Sequence, residues 1–395
     1  MTTESSTQSF PVIHARRWKS HRQHLWVFSS EVESVEGAPT QGDVVRIFDH
    51  GVFVGNAVYA PHSLIRARIF SREDRDLDCD LLVERLRAAL MLRRNHLPGE
   101  NDFRLLYGES DMVPGLVIDK YGDNFVIQVF SAGMERRLDL ALAALQRLFP
   151  VQSVYAKNDF RLRTVEGLPE YEKVLLGTVP ETVVINENGA KYLIGVMGGQ
   201  KTGFYFDQRV TRSRVRALSQ GRSVLDVFCY TGGFAINAAL GGAREVLALD
   251  GSEAALTLLA RNAEANQVGE RVKTIRGNAF QLLRDFNQEG RSYDLIVLDP
   301  PPFVKRPQEK TQGFKGYRDI NYQAMKLLSP NGVLVSCSCS HHMSWQDLLD
   351  VLDQASQGCG RSFHILERIG AGPDHPVALA MPETEYLRCC VLELR

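Results

Sequence analysis

At 395 residues the chain is too long for one ordinary compact domain, and its 44% hydrophobic and 24% charged content sits near the averages of soluble globular proteins. No apolar run approaches the roughly 20 residues needed to span a bilayer, and the opening MTTESSTQSF lacks the apolar stretch of a secretory signal, so no membrane partner is expected. Seven cysteines, an odd number in a long chain, do not read as a disulfide framework, which makes a reduced, cytoplasmic protein the expectation. The 46 basic and 47 acidic residues leave a net charge of −1, which by itself argues against a generally basic nucleic-acid binder. The distribution is uneven, however. Arg16, Arg17, Lys19 and Arg22 fall in a stretch without acids, and Lys305, Arg306, Lys310, Lys315 and Arg318 surround only Glu309. Taken alone, both stretches read as solvated surface.

In chain order, residues 10–78 read as short β-rich elements. VVRIFDHGVFVGNAVYA (Val44–Ala60) has two apolar runs about Asp49-His50-Gly51, a hairpin signal, and LIRARIF alternates as a half-buried strand does. A small β-barrel fits. A helix over Asp80–Leu97 follows, with Leu82, Leu86, Leu90 and Leu97 near one face and Pro98-Gly99 as its stop. Strands FRLLYGE, GLVIDKYG and NFVIQVF, a helix around Glu135–Leu148, then SVYAKND and a hairpin about Asn188-Gly189 suggest an independent α+β unit. From Ser223 the pattern turns regular. SVLDVF, EVLALD, VKTIRG, YDLIVLD and GVLVSCSC alternate with helix-like stretches such as Ser252–Asn266 and Arg318–Leu328, the signature of a parallel sheet covered on both faces. FHILERIG and YLRCCVLEL finish that sheet with one antiparallel member.

The chemistry-bearing positions gather at the ends of these strands. The first runs into Asp226-Val-Phe-Cys-Tyr230-Thr231-Gly232-Gly233-Phe234, a tight strand-to-helix turn that is not the dinucleotide fingerprint Gly-x-Gly-x-x-Gly. The second ends in Asp250, placed to accept from both ribose hydroxyls of an adenosine-containing cofactor; the bland alternative is a cap on the helix starting near Ser252. The third ends at Gly277-Asn278-Ala279, where Asn278 can reach an adenine. The fourth ends in Asp299-Pro-Pro-Pro-Phe303, a rigid turn able to hold an acid and a carbonyl against a flat heterocycle, or otherwise a plain surface turn. The fifth carries Cys337 and Cys339. Buried strand cysteines are usually inert, and Cys-x-Cys-x-His-His has no second ligand pair, so no metal is expected. The alternative is that Cys339 emerges beside Asp299 as a nucleophile.

The Asp-Pro-Pro loop and the Ser338-Cys-Ser340 turn resemble the RNA cytosine-5 methyltransferases. The whole chain is similar to the PUA-domain-containing large-subunit (23S) rRNA cytosine methyltransferase I family. The resemblance is carried by His24-Leu-Trp-Val-Phe28, Gly108-Glu-Ser-Asp111, Pro114-Gly115-Leu116, Lys201-Thr-Gly-Phe-Tyr-Phe-Asp-Gln-Arg209, Tyr230–Phe234, Asp299-Pro-Pro301, Gly316-Tyr-Arg-Asp-Ile-Asn321, Ser338-Cys-Ser340 and Asp374-His-Pro376. Leu25, Asn278 and Cys337 depart from residues common in relatives, which hold proline, an acid, and an apolar or aromatic residue there.

The resemblance implies an α/β chain: a class I Rossmann-like methyltransferase domain (191–395, a mostly parallel seven-stranded sheet), preceded by a PUA-like barrel (1–78) and a central α+β domain (79–190). It implies S-adenosyl-L-methionine as cofactor, with Gln208 and Arg209 near its aminocarboxylate, Tyr230, Thr231, Gly232, Gly233 and Phe234 along its methionine part, Asp250 on the ribose, and Asn278, Ala279 and Asp299 completing the pocket. Cys339 would attack carbon 6 of cytosine, and Asp299 would hydrogen-bond or protonate the ring nitrogen. Arg16, Arg17, Lys19, Arg22, Lys305 and Arg306 would meet large-subunit rRNA, and a homodimer is implied. Two alternatives stay open: an rRNA guanine methyltransferase of the same fold, needing no cysteine, and a non-catalytic RNA-binding assembly factor.

Overall fold

A computed structural model describes residues 10–16, 23–197, 199 and 202–395. Arg17, Lys19, Arg22 and Lys201 lie outside the described residues. The chain divides into two compact units: residues 1–181, 195–204 and 373–384 form the first, and 182–194, 205–372 and 385–395 the second.

The first unit opens with β1 (Val12–Ala15), β2 (Trp26–Phe28), β3 (Val32–Glu36), β4 (Val44–Asp49), β5 (Val52–Tyr59) and β6 (Ile65–Ser71), a mixed sheet in the order β2-β6-β5-β4-β1-β3. Alternation sends Ile13, Val27, Val45, Ile47, Ala57, Ala67 and Ile69 into one core. The expected β4–β5 hairpin turns on His50 and Gly51, both at positive φ (47° and 78°), as a two-residue primed turn requires.

Next come α1 (Cys79–His96), β7 (Phe103–Tyr107), β8 (Leu116–Tyr121), β9 (Asn124–Val129), the short α2 (Ala132–Glu135), α3 (Leu138–Leu148), β10 (Ser153–Asn158), the short α4 (Leu162–Val165) and β11 (Tyr171–Gly177). The sheet runs β11-β10-β9-β8-β7, and Leu81, Leu82 and Leu86 of α1 share a core with Leu105, Ile118, Ile127 and Leu145. Asp78 caps α1 through Leu81 N. Arg93, on the apolar face of α1, is fully buried. It forms a fork with Asp111 (2.6 and 2.7 Å) and donates to the Asp374 carbonyl (2.9 Å). The Asp374-His-Pro376 motif thus ties a distant segment of chain into this unit, where Met381 enters the barrel core.

The second unit holds the hairpin β12 (Thr182–Glu187) and β13 (Ala190–Gly195), which straddles the 190/191 division read from the sequence, then α5 (Arg209–Leu218). The regular alternation follows: β14 (Ser223–Val227), α6 (Gly233–Leu240), β15 (Glu245–Asp250), α7 (Glu253–Ala265), β16 (Val272–Arg276), α8 (Ala279–Gln288), β17 (Tyr293–Leu298), α9 (Lys310–Lys326), β18 (Leu328–Ser338), α10 (Trp345–Cys359), β19 (Phe363–Ile369) and β20 (Arg388–Leu394). The sheet order is β16-β15-β14-β17-β18-β20-β19, with β20 antiparallel to both neighbours, so the expected single antiparallel member is present. Helices α8, α9 and α10 bury Leu283, Phe286, Ile320, Ala324, Leu348 and Val351 against β14, β17 and β18.

One helix differs from its sequence reading. Helix α9 begins at Lys310, eight residues before the expected Arg318, and runs through Gly313 and Gly316. Glycine disfavours helix. Here a Cβ on Gly313 would stand 2.7 Å from the Phe303 carbonyl oxygen, so close packing under the Asp299–Phe303 loop overrides propensity. Among the described residues no helix is long and apolar enough to cross a membrane, and all seven cysteines are free.

Candidate active site

The strand order reverses between β14, whose neighbours are β15 and β17, and the two halves it separates. Ligands of open α/β sheets bind at the carboxyl edge beside such a switch point. Asp226, the Tyr230–Phe234 turn, Asp250, Asn278, Asp299 and Cys339 all lie at this edge, at or just past the ends of five neighbouring strands.

The turn after β14 has an unusual backbone. Phe228 and Tyr230 adopt positive φ (65° and 48°), rare for large side chains, and Gly232 follows at 88°. A Cβ on Gly232 would meet Leu259 Cγ at 2.6 Å, so only glycine fits there. Gly232 is also the N-cap of α6 and has no side chain to cap it; of the first-turn N–H groups, that of Ala235 goes to Asp226, and the turn presents a partial positive charge at this edge. Asp250 accepts from Tyr230 N (2.9 Å) on one oxygen and from Ser252 N (2.8 Å) on the other. The cap of α7 is Ser252 Oγ, bonded to Ala255 N, so Asp250 is not spent on capping. Each Asp250 oxygen keeps a lone pair for a hydroxyl.

Asp226 is fully buried. One oxygen accepts from Ala235 N (2.9 Å), and the other has no partner among the described residues. Burial pushes its carboxyl pKa up to about 8, with the charges of Asp299 and Asp250 adding to the shift and the Ala235 N–H opposing it. A buried carboxyl with an orphan oxygen, beside a glycine turn and a helix N-terminus, fits a ligand that carries an ammonium and a carboxylate together. This residue was not singled out as a site residue by its sequence context, since an acid inside an apolar strand shows no partner.

Asn278 caps α8, its Oδ1 accepting from Gln281 N (3.3 Å), which leaves its amide nitrogen and one oxygen lone pair for a ligand; Ala279 beside it is buried. Gln208 donates its amide N–H to Asp299 Oδ1 (3.0 Å), and its own oxygen accepts from the Cys389 thiol (3.5 Å). Arg209 is buried 3.7 Å from Glu187, which also forms a fork with Arg212 (2.6 Å on each arm). Of the two adjacent residues, then, Gln208 meets the Asp299 carboxylate and Arg209 meets the β12 carboxylate.

The two candidate cysteines have different surroundings. Cys337 is fully buried in β18, opposite Cys389 of β20, and burial holds its thiol well above the ordinary range. Cys339 lies one residue past the strand, half-buried, with Sγ 3.8 Å from the Pro300 carbonyl oxygen. The Cys339 backbone is pinned from both sides. Ser338 Oγ donates to the Tyr317 hydroxyl (3.0 Å), and Ser340 Oγ lies 3.0 Å from the same hydroxyl while accepting from Val304 N (3.4 Å). Tyr317 is fully buried, and burial raises its phenol pKa. It also packs on Phe303 (4.7 Å between ring centroids). One side chain of α9 therefore couples the Ser-Cys-Ser turn to the proline loop. Its motif is visible in the sequence, but this role is not.

Tyr205 was also missed. It stands edge-on to Tyr230 (5.5 Å), and burial, then the nearby Tyr230, Asp207, Asp299 and Cys339, raise its pKa. Of the expected RNA contacts, Arg16, Lys305 and Arg306 are exposed on the surface.

Residues 167–383 match the family described as S-adenosylmethionine-dependent methyltransferase, and residues 14–72 match the PUA-like domain. The chain is 38% identical to the ribosomal RNA large subunit methyltransferase I of Aeromonas hydrophila, over 98% of this chain and 99% of that protein. It is 40% identical to the protein of the same name from Aeromonas salmonicida, over 97% and 98%. A Streptococcus mutans structure described as a SAM-dependent methyltransferase superimposes with a TM-score of 0.83 at 20% identity, covering 97% of this chain and 99% of that one. A methyltransferase-like chain solved in complex with SAH gives 0.84 at 21%, with the same coverage. At such identities the likeness speaks for the fold.

Proposed function

The chain belongs to the S-adenosylmethionine-dependent methyltransferases and, within them, to the ribosomal RNA large subunit methyltransferase I family; from that premise we propose that it methylates carbon 5 of a cytosine in large-subunit rRNA through a covalent adduct with Cys339. The observation that carries this reading is the half-buried Cys339 thiol beside the Asp299–Pro300 turn, held by two serines on one buried tyrosine.

When bound, S-adenosylmethionine supplies an electrophilic methyl group on a sulfonium. Asp226, with its orphan oxygen, and the first turn of α6 hold the ammonium and carboxylate ends; Asp250 holds the ribose hydroxyls, and Asn278 the adenine. Arg209, turned to Glu187, steadies the segment that carries Gln208. Carbon 5 of cytosine is a weak nucleophile. The Cys339 thiolate adds to carbon 6, and the S–C bond that forms makes carbon 5 enamine-like and able to take the methyl group, the sulfonium S–CH3 bond breaking to leave the neutral thioether. Asp299 hydrogen-bonds or protonates the ring nitrogen as negative charge develops there, and Gln208 fixes its carboxyl group. Loss of the carbon-5 proton to a base then breaks the S–C bond and restores the thiolate. The PUA-like barrel and exposed Arg16, Lys305 and Arg306 contact the RNA, whose target base enters splayed from its neighbours.

Large-subunit rRNA incubated with methyl-labelled S-adenosylmethionine, followed by nucleoside analysis, tests this directly. The wild-type protein yields labelled 5-methylcytidine and Cys339→Ala yields none. Labelled methylguanosine from both proteins would overturn the cytosine chemistry while leaving the fold and cofactor intact.

A further inference from the structure

The solvent side of the α8–α9–α10 layer carries an open cleft of about 700 Å³ that the chemistry above does not use. Its lining comes from the first turns of α8 (Phe280, Arg284), the length of α9 (Lys315, Arg318, Tyr322) and the last turn of α10 (Gly358). On α9 the positions 312, 315, 316, 319 and 322 recur at three- and four-residue spacing, one continuous strip of the helix, while Tyr317, Ile320, Asn321 and Ala324 take the buried side. Phe280 is the second residue of α8, next to Ala279, and its ring lies 5.7 Å from that of Phe303, which closes the proline loop. The cleft therefore begins at the carboxyl edge of the sheet, beside the candidate site, and leads away from it along α9.

Its charge is one-sided. Arg284 is paired with Asp319, the acid that lines the cleft. Lys315 and Arg318 are exposed and form no ion pair among the described residues. In a chain with net charge −1, this concentrates unneutralised cations along one open groove. The floor is different in kind: the half-buried rings of Phe280 and Tyr322 offer apolar surface, and Gln312 and Gln354 offer amides. The glycines keep it open, since a Cβ on Gly358 would stand 3.3 Å from the Tyr322 ring. Cations along the rim above an aromatic and amide floor suit a polyanion that also has flat bases and hydroxyls.

We propose that this cleft holds a single-stranded stretch of the RNA substrate flanking the target nucleotide, with Lys315 and Arg318 on its phosphates. The proposal rests on the RNA-methyltransferase reading above. It names a second contact surface, distinct from Arg16 and the Lys305–Arg306 loop, and gives the substrate an exit path from the site.

The test is the double variant Lys315→Gln/Arg318→Gln, with Lys273→Gln, exposed on β16 outside the cleft, as control. Binding of a large-subunit rRNA fragment is measured across salt concentrations, alongside steady-state methyl transfer. Losing two phosphate contacts to a single strand flattens the plot of log K against log salt by about 1.4. The KM for RNA rises several-fold, while kcat at saturating RNA and the affinity for S-adenosylmethionine stay at wild-type values. A wild-type slope and KM in the double variant, with the wild-type protein active on RNA, would sink the cleft proposal alone. A wild-type protein that neither binds nor methylates rRNA would sink the RNA reading itself, and the cleft with it.

Discussion

Buried polar groups are treated in opposite ways at two places in the molecule, the core under α1 in the first unit and the carboxyl edge of the sheet in the second. In the first, Arg93 meets Asp111 in a two-bond fork and an additional carbonyl, and Arg104 forms a fork with the fully buried Asp119 (2.8 Å on each arm). At the carboxyl edge of the seven-stranded sheet, Asp226 is as deeply buried yet keeps an oxygen without a partner, and Cys339 stays half-exposed. Leaving a buried acceptor unsatisfied costs free energy, so a fold tolerates it where a ligand restores the bond.

The sharpest test of that contrast lies within one turn. Cys339→Ala should lower methyl transfer at least about 10³-fold, because it removes the nucleophile. Cys337→Ala, two residues away and closed off in β18, should leave turnover within about threefold. Equal losses in single-turnover assays of the two variants would erase the distinction between closed and open thiols.

Breaking a paired group should act on stability instead. Arg93→Met leaves Asp111 buried without its partner, at a cost of about 3–5 kcal/mol by denaturant unfolding. Cofactor affinity measured below the transition should not change. A variant as stable as wild type would show that this fork does not hold the unit.

The open carboxyl makes a pH prediction. The Asp226 pKa is raised in the folded protein to about 8, so the folded state holds a proton that the unfolded chain releases near pH 4. Its contribution to stability is therefore present at low pH, declines between about pH 4 and pH 8, and is flat above. An ammonium ligand prefers the ionised form, so S-adenosylmethionine affinity should rise by up to about tenfold per pH unit toward pH 8, with proton release on binding. Calorimetry in buffers of different ionisation enthalpy reads that proton. Asp226→Asn should abolish both the release and the slope, and a slope surviving in that variant would assign it to another group.

The smallest effect is expected where a paired group serves an open one. Tyr317→Phe removes the hydroxyl shared by Ser338 and Ser340 and should lower kcat about tenfold, with KM for both substrates near wild type. A change confined to thermal stability would make Tyr317 a packing residue only.

Local patterns carried a large part of this molecule. The alternation of apolar strands with amphipathic helices from Ser223 onward specifies a parallel sheet, and Asp49-His50-Gly51 specifies a hairpin, because both depend on neighbours a few residues apart. The acids at strand ends are legible for the same reason: a strand that ends in Asp250 or Asp299 brings it to the carboxyl edge whatever lies beyond.

What the tertiary structure decided depends on residues brought together across long stretches of chain. Tyr317 meets Ser338 and Ser340, Gln208 meets Asp299 and Cys389, and Arg209 turns to Glu187. Helix α9 extends through two glycines because the proline loop lies against them. The difference in exposure between Cys337 and Cys339 is of this kind too. Two identical side chains two residues apart differ in burial because β20 covers one and the chain leaves the sheet at the other, and no periodicity within the strand encodes that difference.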